Sequence, residues 1–96
     1  KVESLSEELR HIYFDMCVNQ GKSRAVKILQ RAANAKGAGL VVDGGLGPKT
    51  IKAILESNVE LDRVRAYRIK YYADLVTRKP DLEKFYFGWF RRALEV

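Results

Sequence analysis

Glycine placement is the strongest constraint on this chain. Five of its seven glycines fall between Gly37 and Gly47, and the stretches on either side carry apolar residues at spacings of three and four. That spacing winds apolar side chains onto one stripe of an α-helix, whereas a half-buried strand would need alternation. The chain is therefore predicted to be all-α, with about five helices in one compact domain over 1–96 and a glycine-rich turn between the second and third helices.

Ser4-Leu5-Ser6-Glu7 fits a capping box, with Ser4 as the cap of the first helix. Leu5, Leu9, Ile12, Tyr13, Met16 and Cys17 form its inward stripe, and Asn19-Gln20-Gly21 ends it. Ser23 is the expected cap of a second helix reaching about Ala35, with Val26, Leu29, Ala32 and Ala33 inward and Lys27 and Arg31 outward. Lys36-Gly37 closes that helix by the glycine stop rule. Leu40-Val41-Val42 then argues for a structured turn or short extended segment rather than a flexible linker. Pro48 suits the first position of a third helix, and Leu46 and Ile51 stand where a hydrophobic staple would form. The fourth helix is predicted from Leu61 to Arg78. Its apolar surface is wider than one stripe, which implies a central position. Lys79-Pro80-Asp81 breaks the chain, with Asp81 as the expected cap of a fifth helix bearing Leu82, Phe85, Tyr86, Trp89, Phe90 and Ala93. Gly88 inside that helix implies close contact with another backbone or a ligand.

The balance of 47% hydrophobic and 31% charged residues belongs to a folded domain rather than a disordered tail. No apolar run approaches the ~20 residues of a bilayer span, so no membrane span is expected. With Cys17 the only cysteine and His11 the only histidine, no internal disulfide or Cys/His zinc site is available, and no metal or cofactor is expected. Cys17 itself reads either as a small buried hydrophobe or as a reactive thiol. The net charge of +6 favours polyanionic partners: nucleic acid, anionic lipid or bacterial cell wall. Its cations look dispersed, and no helix is expected to gather them on one face.

The most informative string is Val42-Asp43-Gly44-Gly45-Leu46-Gly47-Pro48-Lys49-Thr50-Ile51. Asp43 can bond the backbone of its own turn, Gly44 and Gly47 permit positive φ, Pro48 sets the start of the helix, and the Thr50 hydroxyl can satisfy a first-turn backbone group. The string resembles the D-G-x-x-G-P-x-T signature of helical peptidoglycan-binding domains of cell-wall hydrolases. Before it, Phe14-Asp15, Val18-Asn19, Gly21, Ala25 and Leu29-Gln30-Arg31-Ala32 are similar to the F-D-x-x-V-N-x-G...A...L-Q-x-A pattern of the lysozyme-like N-acetylmuramidases. After it, Arg68, Tyr71-Tyr72, Pro80, Phe85, Gly88-Trp89 and Arg92 resemble that family's R...Y...P...F-x-x-G-W-x-x-R close. The resemblance, to glycoside hydrolase family 108 of the secretion activator type, covers nearly the whole chain with its motifs in order.

The resemblance implies a lysozyme-like helical part acting on the glycan strands of bacterial wall. It implies the C-terminal part of a larger muramidase, whose missing N-terminal catalytic segment becomes a partner. The family's E-G-G catalytic motif has no counterpart here, since Glu3, Glu7 and Glu8 do not match it. Hydrolysis of a glycoside needs a protonated carboxyl, so no catalytic residue is assigned and this chain alone is expected to be inactive. Asp15 and Asp43 are the acids inside matched motifs, and either could assist a glutamate supplied elsewhere or serve its own helix or turn.

Candidate substrate contacts are Asn19, Asp15, Gln30, Tyr72 and Trp89, with Asp43, Gly44, Gly47, Pro48 and Thr50 forming the motif turn. Asn19 reads equally as a sugar contact or as a helix C-cap, and Trp89 as a sugar platform or as core. A groove beside Asn19 and the Asp43 turn is expected. Action at the cell wall or periplasm, or cytoplasmic residence until release if phage-encoded, follows from the family. Two other classes remain open: a small basic helical nucleic-acid binder, and an interaction domain docking through the wide fourth helix.

Overall fold

The computed structural model describes residues 5–96, which form five α-helices and no strand. Ser4, the expected first cap, lies outside the described residues. The cap of α1 (Glu7–Gln20) is Ser6, whose Oγ accepts from the Leu9 N–H at 3.2 Å. Leu9, Ile12, Tyr13 and Met16 point inward as their spacing requires, while Cys17 is half-buried.

Gly21, at φ 95, joins α1 directly to α2 (Lys22–Asn34). Its N–H donates to Cys17 O, and its carbonyl accepts from Ala25 N. One residue thus ends one helix and starts the next, which displaces Ser23 from the expected cap into the first turn. At the far end Gly37, at φ 90, donates to Asn34 O and Ala38 donates to Ala33 O, the paired bonds of a Schellman stop.

The central helix is α2, not the fourth as its apolar width implied. Seven of its thirteen residues are buried, and it packs against α1, α3 (Pro48–Ser57) and α4 (Leu61–Arg78). Its Ala25, Ala32 and Ala33 carry short side chains that let neighbours close in. The width of α4 has a different cause: one side meets α2 and the other carries α5 (Glu83–Glu95). Only Val64, Arg68 and Tyr72 of α4 are fully buried, and Tyr67, Ile69, Leu75 and Val76 are half-buried.

Pro48 opens α3 behind Gly47, partly buried Leu46 and buried Ile51 occupy the staple positions, and Asn58 ends the helix at φ 53. Asp81 does not cap α5. It lies in a 3₁₀ turn, Pro80–Leu82, closed by Leu82 N donating to Lys79 O, and Leu82 is the residue before α5. The clear amphipathic pattern of α5 is only half used, since Ala93 alone is fully buried and Phe85, Phe87 and Leu94 are exposed. Gly88 faces open space, with nothing within 4 Å of where a Cβ would stand, which corrects its expected close contact.

The core joins Leu9, Ile12 and Met16 of α1 to Val26 and Leu29 of α2, Ile51 and Ile54 of α3, and Val64 of α4. The radius of gyration is 13.0 Å, matching the ~13 Å of a compact domain of this length. No helix among the described residues is long and apolar enough to cross a membrane.

Candidate functional site

The glycine-rich segment is held by one side chain. Gln30, on the buried side of α2, accepts at Oε1 from Asp43 N at 3.2 Å and Gly44 N at 3.0 Å. Its Nε2 donates to Asp43 Oδ1 at 3.1 Å and Gly45 O at 3.2 Å. An amide has two donors and two acceptor sites, so Gln30 has none left for a ligand. Asp43 Oδ1 also accepts from Gly45 N at 2.9 Å, closing an Asx turn. This bond, then the Gln30 amide, and further on the charge of Lys27, hold the Asp43 carboxyl below its ordinary range. Asn34 fixes the start of the segment by clasping both the carbonyl and the N–H of Leu40.

Gly44 is required twice over. Its φ is +80, and an added Cβ would stand 2.5 Å from Ser23 Oγ. Gly47 does not need the positive φ expected of it, being extended at φ −92. Thr50 is buried, and its hydroxyl makes no hydrogen bond among the described residues, so packing accounts for it.

A second cluster joins three helices. Asp15 of α1 receives Arg68 Nη2 of α4 on Oδ2 at 2.6 Å, and Arg92 Nε of α5 on Oδ1 at 3.1 Å, with Arg92 Nη2 on the same oxygen. Arg68 is wholly buried, and its Nε donates to Gln20 Oε1 at 3.0 Å. Burial alone would raise the Asp15 carboxyl, but the bonds and charges of Arg92 and Arg68 outweigh it and hold the group below the ordinary aspartate value. Asp15 is therefore a fixed anion, unsuited to donating a proton. Arg68 Nη1 and Gln20 Nε2 are buried without a partner among the described residues.

The aromatic candidates lie beside this cluster. Buried Tyr72 stacks on half-buried Trp89 at 4.9 Å between centroids, and Phe85 stacks on Trp89 at 5.8 Å. The Arg68 guanidinium stands 6.0 Å from the Tyr72 ring centre. Trp89 is thus a layer in an aromatic pile, not a free platform. Asn19 is exposed, and its Nδ2 donates to Asp15 O at 2.8 Å. It sits within the last turn of α1, while the C-cap is Gly21.

Neither Asn19 nor the Asp43 turn lines the basic groove of the structure. That groove, of about 670 Å³, runs between α2 and the C-terminal half of α4, lined by Arg24, Lys27, Arg31, Tyr71, Asp74, Leu75, Thr77, Arg78 and Lys79. It collects five of the eighteen cations against one acid, so part of the positive charge is gathered in one place. A shallower depression of about 530 Å³ lies along α4 from Glu60 to Lys70 and carries charges of both signs.

A family model described as Predicted Peptidoglycan domain matches residues 24–94. The chain belongs to this family. No curated protein and no solved structure matches it. Within this peptidoglycan domain, the matched segment holds Gln30, the Asp43 turn, Arg68, Tyr72, Trp89, Arg92 and the whole basic groove. Asp15 and Asn19 precede it.

The fold thus joins Asp15, Tyr72 and Trp89 into one cluster, leaves Asn19 at its edge, and gives Gln30 to the turn. Sequence reasoning missed the burial of Arg68, the part played by Gln20, and the groove. For the groove a signal was present: Arg24, Lys27 and Arg31 are spaced three and four apart, which puts them on one side of α2.

Proposed function

We propose that this peptidoglycan domain is the wall-binding, C-terminal part of a cell-wall hydrolase of the lysozyme-like N-acetylmuramidase type, glycoside hydrolase family 108. It holds glycan strands for a catalytic glutamate carried by another segment of the protein. Residues 1–96 act as a single folding domain in this reading, working at the bacterial wall. The observation that carries it is the family match over residues 24–94, joined to ordered motifs whose residues meet in space: Asp15, Arg68 and Arg92 come from two separate motifs and form one ion cluster.

The chemistry of the acids supports a binding role. Glycoside cleavage needs a carboxyl that stays protonated near neutral pH, and Asp15 and Asp43 are both pushed the other way. Asn19 and the outward edge of Trp89 are the groups of the predicted set left to touch sugar. Gln30 serves indirectly, by shaping the Asp43 turn, and Tyr72 by backing Trp89.

The test is co-sedimentation of the chain with purified peptidoglycan at moderate salt, alongside a turbidity assay for lysis. The domain pellets with the wall and leaves turbidity unchanged. A chain that stays in the supernatant, or that binds a DNA duplex selectively while ignoring the wall, refutes this function.

A further inference from the structure

We propose that the basic groove between α2 and the end of α4 binds the carboxylate-bearing stem peptides of peptidoglycan rather than its sugars, an inference that rests on the wall-binding reading above. The amino sugars of the wall are largely neutral, and proteins hold them with amides, hydroxyls and flat aromatic faces. This groove offers cations instead. Arg24, Lys27 and Arg31 descend one side of α2, and Arg78 and Lys79 face them from the end of α4. None of the five makes an ion pair with a described residue. Elsewhere among the described residues Lys36 and Arg63 pair with Glu60, Arg65 with Asp62, and Arg68 and Arg92 with Asp15.

Two of the arginines are held in place. Arg24 Nη1 donates to Gln20 O at 3.3 Å, and Arg78 Nε donates to Asp74 O at 3.4 Å. Guanidinium groups present a planar fork that fits a carboxylate with two parallel bonds, which a point charge does not reproduce. The one acid in the groove, Asp74, has among the described residues only an exposed Lys70 at 3.5 Å as ion-pair partner. It suits the ammonium group of a diamino residue, so several cations with a single carboxylate match a peptide bearing more acids than amines.

Shape separates this ligand from a nucleic-acid duplex. Duplex readers insert a convex helix or ribbon into a groove of the DNA, whereas these cations line a concavity of the protein. A volume of about 670 Å³ lies within the ~300–1,000 Å³ of sites that enclose small ligands, the scale of a short peptide.

The experiment measures retention of the full chain on bead-tethered sacculi stripped of phosphate-bearing polymers, and on the bead-tethered glycan strands that an amidase frees from the same sacculi by removing the stem peptides. Removing the peptides weakens binding roughly tenfold, as does a variant combining Lys27→Gln, Arg31→Gln and Arg78→Gln on intact sacculi. A variant with equal charge loss outside the groove, Lys49→Gln with Lys52→Gln and Lys84→Gln, keeps wild-type binding. Independently of any variant, a soluble stem tripeptide shifts the side-chain NMR resonances of Arg24, Arg31 and Arg78. Equal binding to intact sacculi and to peptide-free strands, equal loss in the two triple variants, or binding that requires the phosphate polymers overturns the groove assignment while wall binding stands. Failure to bind any wall preparation removes the reading beneath it.

Discussion

Arg68 sits at zero exposure because its charge is answered at once: Asp15 takes Nη2, and Gln20 takes Nε. Removing one partner of such a pair leaves a buried charge without compensation, which costs roughly 3–5 kcal/mol. Asp15→Asn is expected to lose stability on that scale in urea unfolding, and Arg92→Gln far less, because Arg92 reaches Asp15 from solvent. The sign of the pH effect follows from the depressed Asp15 carboxyl. Its contribution is fully present above the unfolded value of about 3.9 and is lost as pH falls through the lower folded value. Acid unfolding profiles should therefore steepen below about pH 4 in the wild type and be flatter there in Asp15→Asn. Gln30 poses the neutral version of the same problem. Gln30→Ala abandons two backbone N–H groups and is expected to cost about 1–3 kcal/mol, seen as faster amide exchange at Asp43 and Gly44. At this scale the sequence was legible as motif but not as role. Asp15, Gln30, Arg68 and Arg92 all stood inside recognisable strings, yet nothing in the strings says that the first answers the last two, or that the amide folds onto a turn thirteen residues on.

Helix boundaries depend on local chemistry, and most could be read. Pro48 starts α3, Asn58 ends it, and α4 runs from Leu61 to Arg78 as its pattern requires. Caps were misplaced where more than one residue could serve: Gly21 made Ser23 redundant, and a 3₁₀ turn absorbed Asp81. Burial of whole faces was less legible, because an apolar stripe does not reveal how many neighbours will cover it. Hence α4 looked central when α2 is, and α5 looked better buried than it is. Two glycines separate turn from helix in a direct test. Gly44→Ala meets both positive φ and Ser23, and is expected to destabilise by about 1–3 kcal/mol. Gly88→Ala meets open space within α5 and should stabilise by about 0.5–1 kcal/mol. Thermal midpoints of the two variants should therefore move in opposite directions.

Across the whole molecule, what was hardest to read was convergence. The five groove cations are separated by more than half the chain, and the packing of α2 against α4 makes them one surface. Asp15 of α1 likewise meets arginines of α4 and α5 far along the chain, and this has a practical consequence for anyone trimming the gene. The segment that matches the family starts at residue 24, inside α2, whereas the only carboxylate among the described residues that answers Arg68 lies nine residues upstream. A product cut at the homology boundary would inherit a stranded cation and forfeit Leu9, Ile12 and Met16 from its interior. Residues 24–96 made alone should bind a hydrophobic dye and melt without a sharp transition, and adding back residues 5–23 as a separate peptide should restore cooperativity. The segment that matches the family and the unit that physics folds differ here by one helix.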